Sequence, residues 1–242
     1  MGNLWKGFKE HRTFRFTSLL VILLIALVVL APVIAPYNPL EAVMKDANQA
    51  PSMAHLFGTD KLGRDVLSRI LYGGAYSLSS VLALVVIIFC VGTFLGLVAG
   101  YFGGLIDTVI MRIADMMISF PGVILAIAIA GIMGGSLVNA MIALTAVTWT
   151  KYARLSRSMV LKIRKRDFVD AAIVSGGTSS HILWTHIMPN VVPILVITAV
   201  SDIGAMMMEL AGLSFLGFGS QPPAPEWGLM LNEGRQQLQT AP

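Results

Sequence analysis

Residues 170–189 read DAAIVSGGTSSHILWTHIMP, a hydrophilic stretch with internal order between two long apolar runs. Asp167 can cap a helix that also holds Asp170 in its first turn, because free N–H groups at a helix N-terminus favour carboxylates. Gly176 and Gly177 would end this helix, since glycine accepts the left-handed conformation that a helix stop requires. The stretch therefore predicts a short helix that a glycine turn terminates.

A second short helix is predicted after the turn. Ser179 or Ser180 can cap it, and Pro189 helps to end it because proline cannot continue the hydrogen bonds of a helix. The two helices and the glycine turn form a compact projection, called the knob below and comprising residues 161–190. Such a loop predicts a docking surface; an amphipathic loop lying on the membrane is the alternative.

The composition around the knob is that of a membrane protein. Of the 242 residues, 56% are hydrophobic and 12% are charged, and the mean hydropathy is +0.77. A transmembrane helix needs roughly 20 mainly apolar residues. The sequence therefore predicts an all-α polytopic membrane protein with five visible spans, near residues 16–34, 78–101, 105–133, 137–160 and 191–218.

Basic residues in the short loops predict the orientation, because such loops stay in the cytoplasm. Residues 1–15 carry four Lys and Arg side chains and residues 151–190 carry seven, and alternation through the spans places both on one face. We expect a cytoplasmic N-terminus and a cytoplasmic knob, with residues 38–75 outside. This asymmetry accounts for the net charge of +4, so nucleic acid is not an expected partner.

The external segment, residues 38–75, contains an ordered motif. Apolar side chains between residues 62 and 71 fall on one helical face, which predicts a short amphipathic helix capped by Thr59 or Asp60. Such a helix would lie on the membrane or over the mouth of a translocation path. The motif itself comprises Gly58, Thr59, Asp60, Gly63, Arg64 and Asp65.

Small residues and a proline mark the second and third spans. Glycines four residues apart let two helix backbones approach closely, either within this chain or against another subunit. Pro121 is expected to kink the third span, in which Arg112 and Asp115 are predicted to pair. The glycines are Gly92, Gly96, Gly100 and Gly104.

Acidic residues inside the fifth span need an explanation, since charge within a membrane is costly. Asp202 and Glu209 share a helix face, about 10 Å apart along the axis, with Met206 between them. We interpret this stripe as the lining of a translocation path; the alternative is that each carboxylate is paired or hydrogen-bonded for packing, or that Glu209 is protonated. The adjacent methionines are expected to fill space as flexible apolar side chains rather than to bind a soft metal ion.

The sequence offers no motif for covalent or hydrolytic chemistry. It contains no P-loop pattern and no Ser/His/Asp or Cys/His arrangement, and Cys90 is its single cysteine. It therefore predicts no catalytic residue, no metal site and no cofactor. The chain is predicted not to be an enzyme, so any energy that it needs would come from a partner.

The spacing in the knob resembles the docking loop of permease subunits in binding-protein-dependent ABC importers. That loop reads Glu-Ala-Ala, three residues, Gly, nine residues, an apolar residue, any residue, Leu and Pro; here Asp170 and Met188 replace its Glu and Leu. The resemblance implies that the matching positions contact an ATPase. They are Asp170, Ala171, Ala172, Gly176, His186 and Pro189.

The external motif is similar to the hallmark of the peptide and nickel branch of this family. Residues 103–121 and 211–228 also match the branch, so the resemblance runs over residues 57–235. It implies the transmembrane domain of a type I ABC importer in a bacterial or archaeal inner membrane. Implied partners are a second permease subunit, two ATPases, an extracytoplasmic solute-binding protein and membrane lipid.

The resemblance also implies an organisation along the chain. We expect the N-terminus and first span in residues 1–37, an extracytoplasmic segment in 38–75, and a permease core in 76–242 that contains the knob. In the family a further span follows, so we expect the given sequence to stop short of a sixth span.

The cargo and the transport class have alternatives. The branch carries oligopeptides, dipeptides, and nickel or metal chelates; residues 202–208 and 226–228 favour nickel or a metal chelate, with peptides as the alternative. A competing class is an ion-coupled secondary transporter that uses Asp202 and Glu209 as a relay, and a third is a membrane anchor or assembly factor. The ordered knob and the external motif favour the importer.

Overall fold

The structure, a computed structural model, describes residues 12–238, which fold into helices without a β-strand. The all-α prediction is confirmed. A single 3-10 turn covers Met44–Asp46, and a π-helical segment covers Ile182–Ile187. The α-helices, numbered in chain order, are α1 (Arg12–Val29), α2 (Ala31–Ile34), α3 (Val66–Phe102), α4 (Gly104–Ile118), α5 (Gly122–Met133), α6 (Leu137–Ile163), α7 (Asp167–Val174), α8 (Ser179–His181), α9 (Met188–Phe215) and α10 (Trp227–Arg235).

The described chain divides into two compact units. Residues 12–77 and 222–238 form the first, and residues 78–221 form the second. In the second unit, helices α4, α5 and α9 each pack against α6. One face of α6 is buried, with nine buried residues between Ala140 and Val160, so this helix is the centre of the unit.

Three helical stretches of the described chain are long and apolar enough to cross a membrane. They are Arg12–Val29, Val66–Phe102 and Ser179–Phe215, and the bent pair α4 and α5 would make a fourth. Helix α6, the fourth predicted span, has 27 residues, which is long enough. It does not meet the same test of apolar composition, because Lys151, Arg154 and Arg157 lie in its second half.

The third predicted span is broken. Helices α4 and α5 meet at an angle of 93° across residues 119–121. Pro121 stands immediately before α5, where it cannot donate a backbone hydrogen bond and disfavours a helical conformation for the preceding residue. The expected kink is therefore present as a bend of about a right angle between two separate helices.

The external amphipathic helix predicted over residues 62–71 is not a separate element. Helix α3 begins at Val66 and continues for 37 residues to Phe102, about 55 Å at the usual rise per residue. Gly73 and Gly74, which follow the apolar pattern, lie inside this helix, where Trp227 of the same unit packs against them.

Three of the four spaced glycines bring α3 close to α6. A Cβ atom on Gly92 would lie 2.5 Å from the Trp149 carbonyl oxygen, and one on Gly96 would lie 2.3 Å from the Ala153 carbonyl oxygen. The Gly100 position is similarly close to Val160. The spacing therefore serves packing within this chain.

Replacing Gly96 by valine should prevent α3 from closing on α6. The added side chain has no space against backbone atoms, and overpacking costs about 1–3 kcal/mol even where neighbours can move. We expect a lower melting temperature and loss of monodisperse protein after detergent extraction. Gly204→Ala is the control, because nothing lies within 4 Å of that position in α9; equal losses in both variants would contradict the close-contact explanation.

Candidate functional site

The first helix of the knob, α7, begins at Asp167, one residue earlier than a helix capped by Asp167 would begin. Asp167 is the first residue of the helix, and Arg166 occupies the capping position without a side-chain hydrogen bond. The prediction that Asp167 caps the helix is therefore wrong. Its carboxylate, like that of Asp170, lies in the first turn, where the helix dipole favours negative charge.

The glycine stop of α7 is confirmed. Gly176 has a φ of +81°, a conformation that side chains with a Cβ atom disfavour. Its N–H donates to the Ile173 carbonyl, and the Gly177 N–H donates to the Ala172 carbonyl, both at 3.0 Å. These bonds satisfy carbonyl groups at the end of the helix, so the turn has a defined conformation.

The start of the second helix also differs from prediction. Thr178, rather than Ser179 or Ser180, is the cap, and its hydroxyl accepts a hydrogen bond from the His181 N–H at 3.4 Å. The threonine was missed because both serines are equally suitable capping residues. Thr178 is the cap because the helix begins at Ser179, so that the residue before it is Thr178.

The second helix does not end at Pro189. Helix α8 passes through the π-helical segment Ile182–Ile187 directly into α9, which continues to Phe215. Pro189 lies in the first turn of α9, where a proline is tolerated because its missing N–H has no required partner. The knob is thus continuous with a long apolar helix.

The knob has a buried base and an exposed tip. Val169, Ile182 and Ile187 are fully buried in the core of the second unit. His186 is half-buried, with its ring 5.7 Å from the His181 ring. Four other predicted docking positions are exposed and Ala172 is half-buried; the exposed ones are Asp170, Ala171, Gly176 and Pro189.

Asp202 in α9 is paired with α6. The Lys151 ammonium lies 2.7 Å from both carboxylate oxygens, and the Tyr152 hydroxyl donates to one of them at 2.9 Å. The pairing that was the alternative to path lining is therefore present at this residue.

Two more basic residues of α6 pair with acids of α4. Arg154 contacts Asp115 at 2.5 Å, so the predicted pair of Asp115 with Arg112 is wrong; an arginine on the adjacent helix takes the carboxylate. Arg157 binds both oxygens of Asp107. The spacing of three residues between the basic side chains of α6 indicates that they share one side of the helix. It does not indicate which acids on other helices they pair with.

The other two residues of the predicted path stripe have different surroundings. Met206 is only 6% exposed and belongs to the apolar core. Glu209 is half-buried and has neither a hydrogen bond nor an ion pair with another described residue. It borders a cavity of about 220 Å³ in the second unit. Glu209 is thus the member of the stripe that borders the cavity without an ion pair of its own.

In the first unit, Asp60 organises the external motif. Its carboxylate accepts hydrogen bonds from the backbone N–H groups of Leu62 and Arg64 at 2.9 and 3.0 Å. It also pairs with the buried guanidinium groups of Arg64 and Arg69 at 2.7 and 2.5 Å. Burial alone would raise the pKa of Asp60, but the backbone bonds and Arg64 lower it below its usual value.

Glu233 of α10 completes this cluster. It lies 3.1 Å from Arg64 and 2.9 Å from Arg69, more than 160 residues away in sequence, so no local spacing indicates it. Glu226 caps the same helix by accepting from the N–H groups of Gly228 and Leu229. The cluster therefore connects the external motif to α10.

The remaining motif residues have local structural roles. The predicted cap at Thr59 or Asp60 is wrong. The Asp65 carboxylate caps α3 instead, by accepting a hydrogen bond from the Ser68 N–H at 2.8 Å. Gly58 and Gly63 have φ values of +72° and +73°. A Cβ atom on Gly63 would overlap the Val43 carbonyl. Thr59 donates its hydroxyl hydrogen to the Asp46 carbonyl.

Metal-ligating side chains do not cluster in residues 12–238. The His, Cys, Asp and Glu residues of this part of the chain form no group of three or more that could hold a metal ion. The chemistry of the arrangement is electrostatic: paired charges between helices, and one unpaired carboxylate beside a cavity.

Two family models match the chain. Residues 92–241 match the binding-protein-dependent transport system inner membrane component. Residues 1–51 match the N-terminal transmembrane domain of oligopeptide transport permease C.

Curated relatives match almost the whole chain. A glutathione transport system permease protein of Pectobacterium atrosepticum is 40% identical, over 98% of this chain and 79% of the relative. A dipeptide transport system permease protein of Alkalihalophilus pseudofirmus is 39% identical, over 98% and 78%. A nickel transport system permease protein of Escherichia coli strain K12 is 39% identical, over 93% and 82%.

Asp60→Asn should loosen the external segment. Breaking a buried ion pair costs about 3 kcal/mol, because it leaves the partner arginines without compensation. We expect faster cleavage of residues 38–75 by protease added to membrane vesicles with the external face outward. Glu41→Gln, at an exposed acid of the same segment, should leave cleavage unchanged.

Acid should have the same effect on the unmodified chain. A folded-state pKa below the unfolded value means that the stabilisation by Asp60 is complete above about pH 4 and is lost as the pH falls through the lower, folded-state pKa. The Asp60→Asn variant should lack this component of the pH dependence. Identical acid sensitivity in the two chains would contradict the assignment.

Proposed function

This chain belongs to the inner-membrane permease components of binding-protein-dependent transport systems, and from that premise we propose how it couples to ATP and what it carries. It is a permease subunit of the ABC importers that transport peptides, glutathione or nickel. It is a multi-pass membrane protein. The proposal concerns its orientation, its partners, its path and its cargo.

The knob is proposed to be the ATPase-docking element. Its exposed surface carries Asp170, Ala171, Gly176 and Pro189, with the half-buried Ala172 and His186 beside them. The absence of a P-loop from the sequence requires the energy to come from another subunit. Two cytoplasmic ATPases would supply it, so the knob and the N-terminus would both face the cytoplasm.

The continuity of the knob with α9 is the observation that carries this proposal. A helix transmits displacement along its axis without an intervening flexible linker, and the buried base fixes α7 against the π-helical segment. A movement of the knob would therefore shift the whole of α9, including Asp202 and Glu209. This is the mechanical requirement of alternating access driven from the cytoplasm.

The remaining partners follow from this geometry and from the family. A second permease subunit would complete the path, and a solute-binding protein would deliver cargo from the extracytoplasmic side, which residues 38–75 would face. Helix α6 would count as a further span, since its basic residues are paired with acids of α4 and α9. Lipid would surround the exposed apolar helix α1, none of whose residues is buried.

The path is proposed to run along the stripe of Asp202, Met206 and Glu209. Asp202 would hold the stripe in place through Lys151, Met206 would pack it against the core, and Glu209 would face the cargo. The pairing of Asp202 with Lys151 disfavours the alternative of a proton relay, because a paired carboxylate does not release its charge readily.

The cargo is proposed to be nickel or a metal chelate, with dipeptides or oligopeptides as the alternative. The relatives include permeases named for nickel, dipeptides and glutathione at nearly equal identity. Residues 202–208 and 226–228 resemble the nickel members of the branch somewhat more than the dipeptide members, which supports the metal. Identification of the ligand bound to the cognate solute-binding protein would decide between these cargoes.

Gly176→Val should uncouple transport. Valine in the left-handed conformation of this residue costs at least about 1–2 kcal/mol, equivalent to a roughly tenfold change in a docking equilibrium. We expect reduced ATPase co-purification and reduced uptake with normal membrane insertion. Ser180→Val is the control, because Ser180 is exposed in α8 and needs no left-handed conformation. Normal co-purification and uptake in Gly176→Val would argue against docking here.

Asp202→Asn and Glu209→Gln test the path. Asp202→Asn removes the charge partner of Lys151, and Glu209→Gln removes the unpaired charge. Both should lower uptake of the cargo by the assembled importer, while ATPase co-purification stays normal. Normal uptake by both variants would refute the path-lining role of the stripe.

A further inference from the structure

We propose that the cavity beside Glu209 is a binding site for the positively charged group of the cargo. An ammonium group or a cationic metal complex has the required chemistry. The inference rests on the proposed function, because it takes Glu209 to line the path, and it adds the charge class that this path accepts.

The charges of the second unit single out Glu209. Outside the knob, the described helices of this unit carry four acidic residues. Three of them are neutralised by α6: Asp107 by Arg157, Asp115 by Arg154 and Asp202 by Lys151. Glu209 is the fourth, and no basic side chain of residues 12–238 forms an ion pair with it; Lys151, which is bound to Asp202, acts on it only at longer range. A carboxylate kept in an apolar helix without a structural partner requires a different explanation, and recognition of a cation supplies one.

The cavity gives this carboxylate room for a ligand. Its volume is about 220 Å³, roughly seven times the volume that one water molecule occupies in the liquid. Pockets for whole drug-sized ligands start at about 300 Å³, so the cavity suits one terminal group or one small complex. Its walls come from three helices, with Val123 and Ile127 on α5, Leu144 on α6, and Leu213 on α9, and from Leu216 directly after α9.

One side of the cavity is open. Met208, which also borders it, is 75% exposed, and no atom lies within 4 Å of a Cβ placed on Gly212. A group moving along the exposed side of α9 could therefore enter without displacing a packed side chain. The lysine that neutralises Asp202 holds that carboxylate, which leaves Glu209 as the free acid on the stripe.

The surroundings make the carboxylate selective for charge. Apolar walls lower the local dielectric constant, so the attraction for a cation and the repulsion of an anion are both stronger than in water. A donor N–H of an ammonium group would form a charge-assisted hydrogen bond. A cargo with net negative charge, such as glutathione with its two carboxylates and one ammonium, would be disfavoured at this point of the path.

Thiol labelling in the assembled importer tests the site without knowledge of the cargo. In a Cys90→Ser background, Met208→Cys places a thiol at the cavity while Glu209 stays in place. A cationic methanethiosulfonate reagent should react about tenfold faster than an anionic one of similar size, because a charged cleft concentrates counter-ions. Adding Glu209→Gln should bring the two rates together. Ile197→Cys, at an exposed α9 position away from the cavity, is the control and should show no charge preference.

Two results would overturn the proposal. One is a Met208→Cys thiol that reacts with neither reagent, which would mean that the cavity is closed to water. The other is a charge preference that persists in Glu209→Gln, which would assign it to another group. Neither result touches the docking proposal, since Gly176→Val reports on the ATPase contact and not on the cavity.

Uptake then distinguishes the two sources of positive charge. Nickel ion and the dipeptide glycyl-lysine are the cationic probes, and glutathione is the anionic one. Glu209→Gln should reduce uptake of nickel if the site takes a metal complex, or of the dipeptide if it takes an ammonium, by about tenfold for the loss of one charged hydrogen bond. An equal loss for glutathione would indicate a structural role for Glu209 and would contradict the proposal.

Discussion

Three ion pairs join helix α6, the centre of the second unit, to its neighbours through Lys151, Arg154 and Arg157, which lie on its partly exposed side. Within a membrane an unpaired charge on such a helix is costly, so each basic side chain needs an acidic partner. Each of the three side chains meets an acid on a neighbouring helix. Apolar contact alone has no direction, and these partly exposed pairs add a preference for which sides of α6 face α4 and α9. The side of α6 that faces α3 has no ion pair in the described residues. There the glycines of α3 let the two helix backbones approach closely.

The same helix arrangement supports the proposed mechanical role of the knob. A proline after a short helix normally indicates its end, and Pro189 was interpreted in that way. The π-helical segment shifts the hydrogen-bonding register just before it, so that Pro189 enters α9 in the first turn, where its missing N–H is not needed. The result is one helical rod from Ser179 to Phe215. A separate second helix would have required a hinge between the knob and the path.

The sequence predicts the features that depend on local chemistry. The glycine stop at Gly176, the break at Pro121 and the close glycine contacts follow from backbone conformation and helix spacing, and the structure contains each of them. Capping residues are less certain from sequence alone, because Thr178, Ser179 and Ser180 all accept an N–H equally well. The cap at Asp65 was missed for a related reason, since the apolar pattern before Val66 continues into the loop and hides the start of the helix.

Pairings between residues that are distant in the chain could not be predicted from the sequence. Arg112 and Asp115 have suitable spacing within one helix, yet Arg154 takes the carboxylate because it reaches across from α6. Glu233 similarly joins a cluster whose other members lie between residues 60 and 69. One sequence without an alignment offers no signal for either contact, since both depend on the final packing of the helices.

The external motif shows why a short string identifies this family so well. Gly58 and Gly63 adopt left-handed conformations with a neighbouring carbonyl where a Cβ would be. Asp60 and Asp65 accept the N–H groups that begin a turn and a helix, and Arg64 needs Asp60 for its charge. Each of these contacts lies within the motif or its own unit, so together they explain how the string keeps its conformation. The proposed contact with cargo lies in the second unit instead, at Glu209, whose carboxylate borders a cavity and has no ion pair within the described residues.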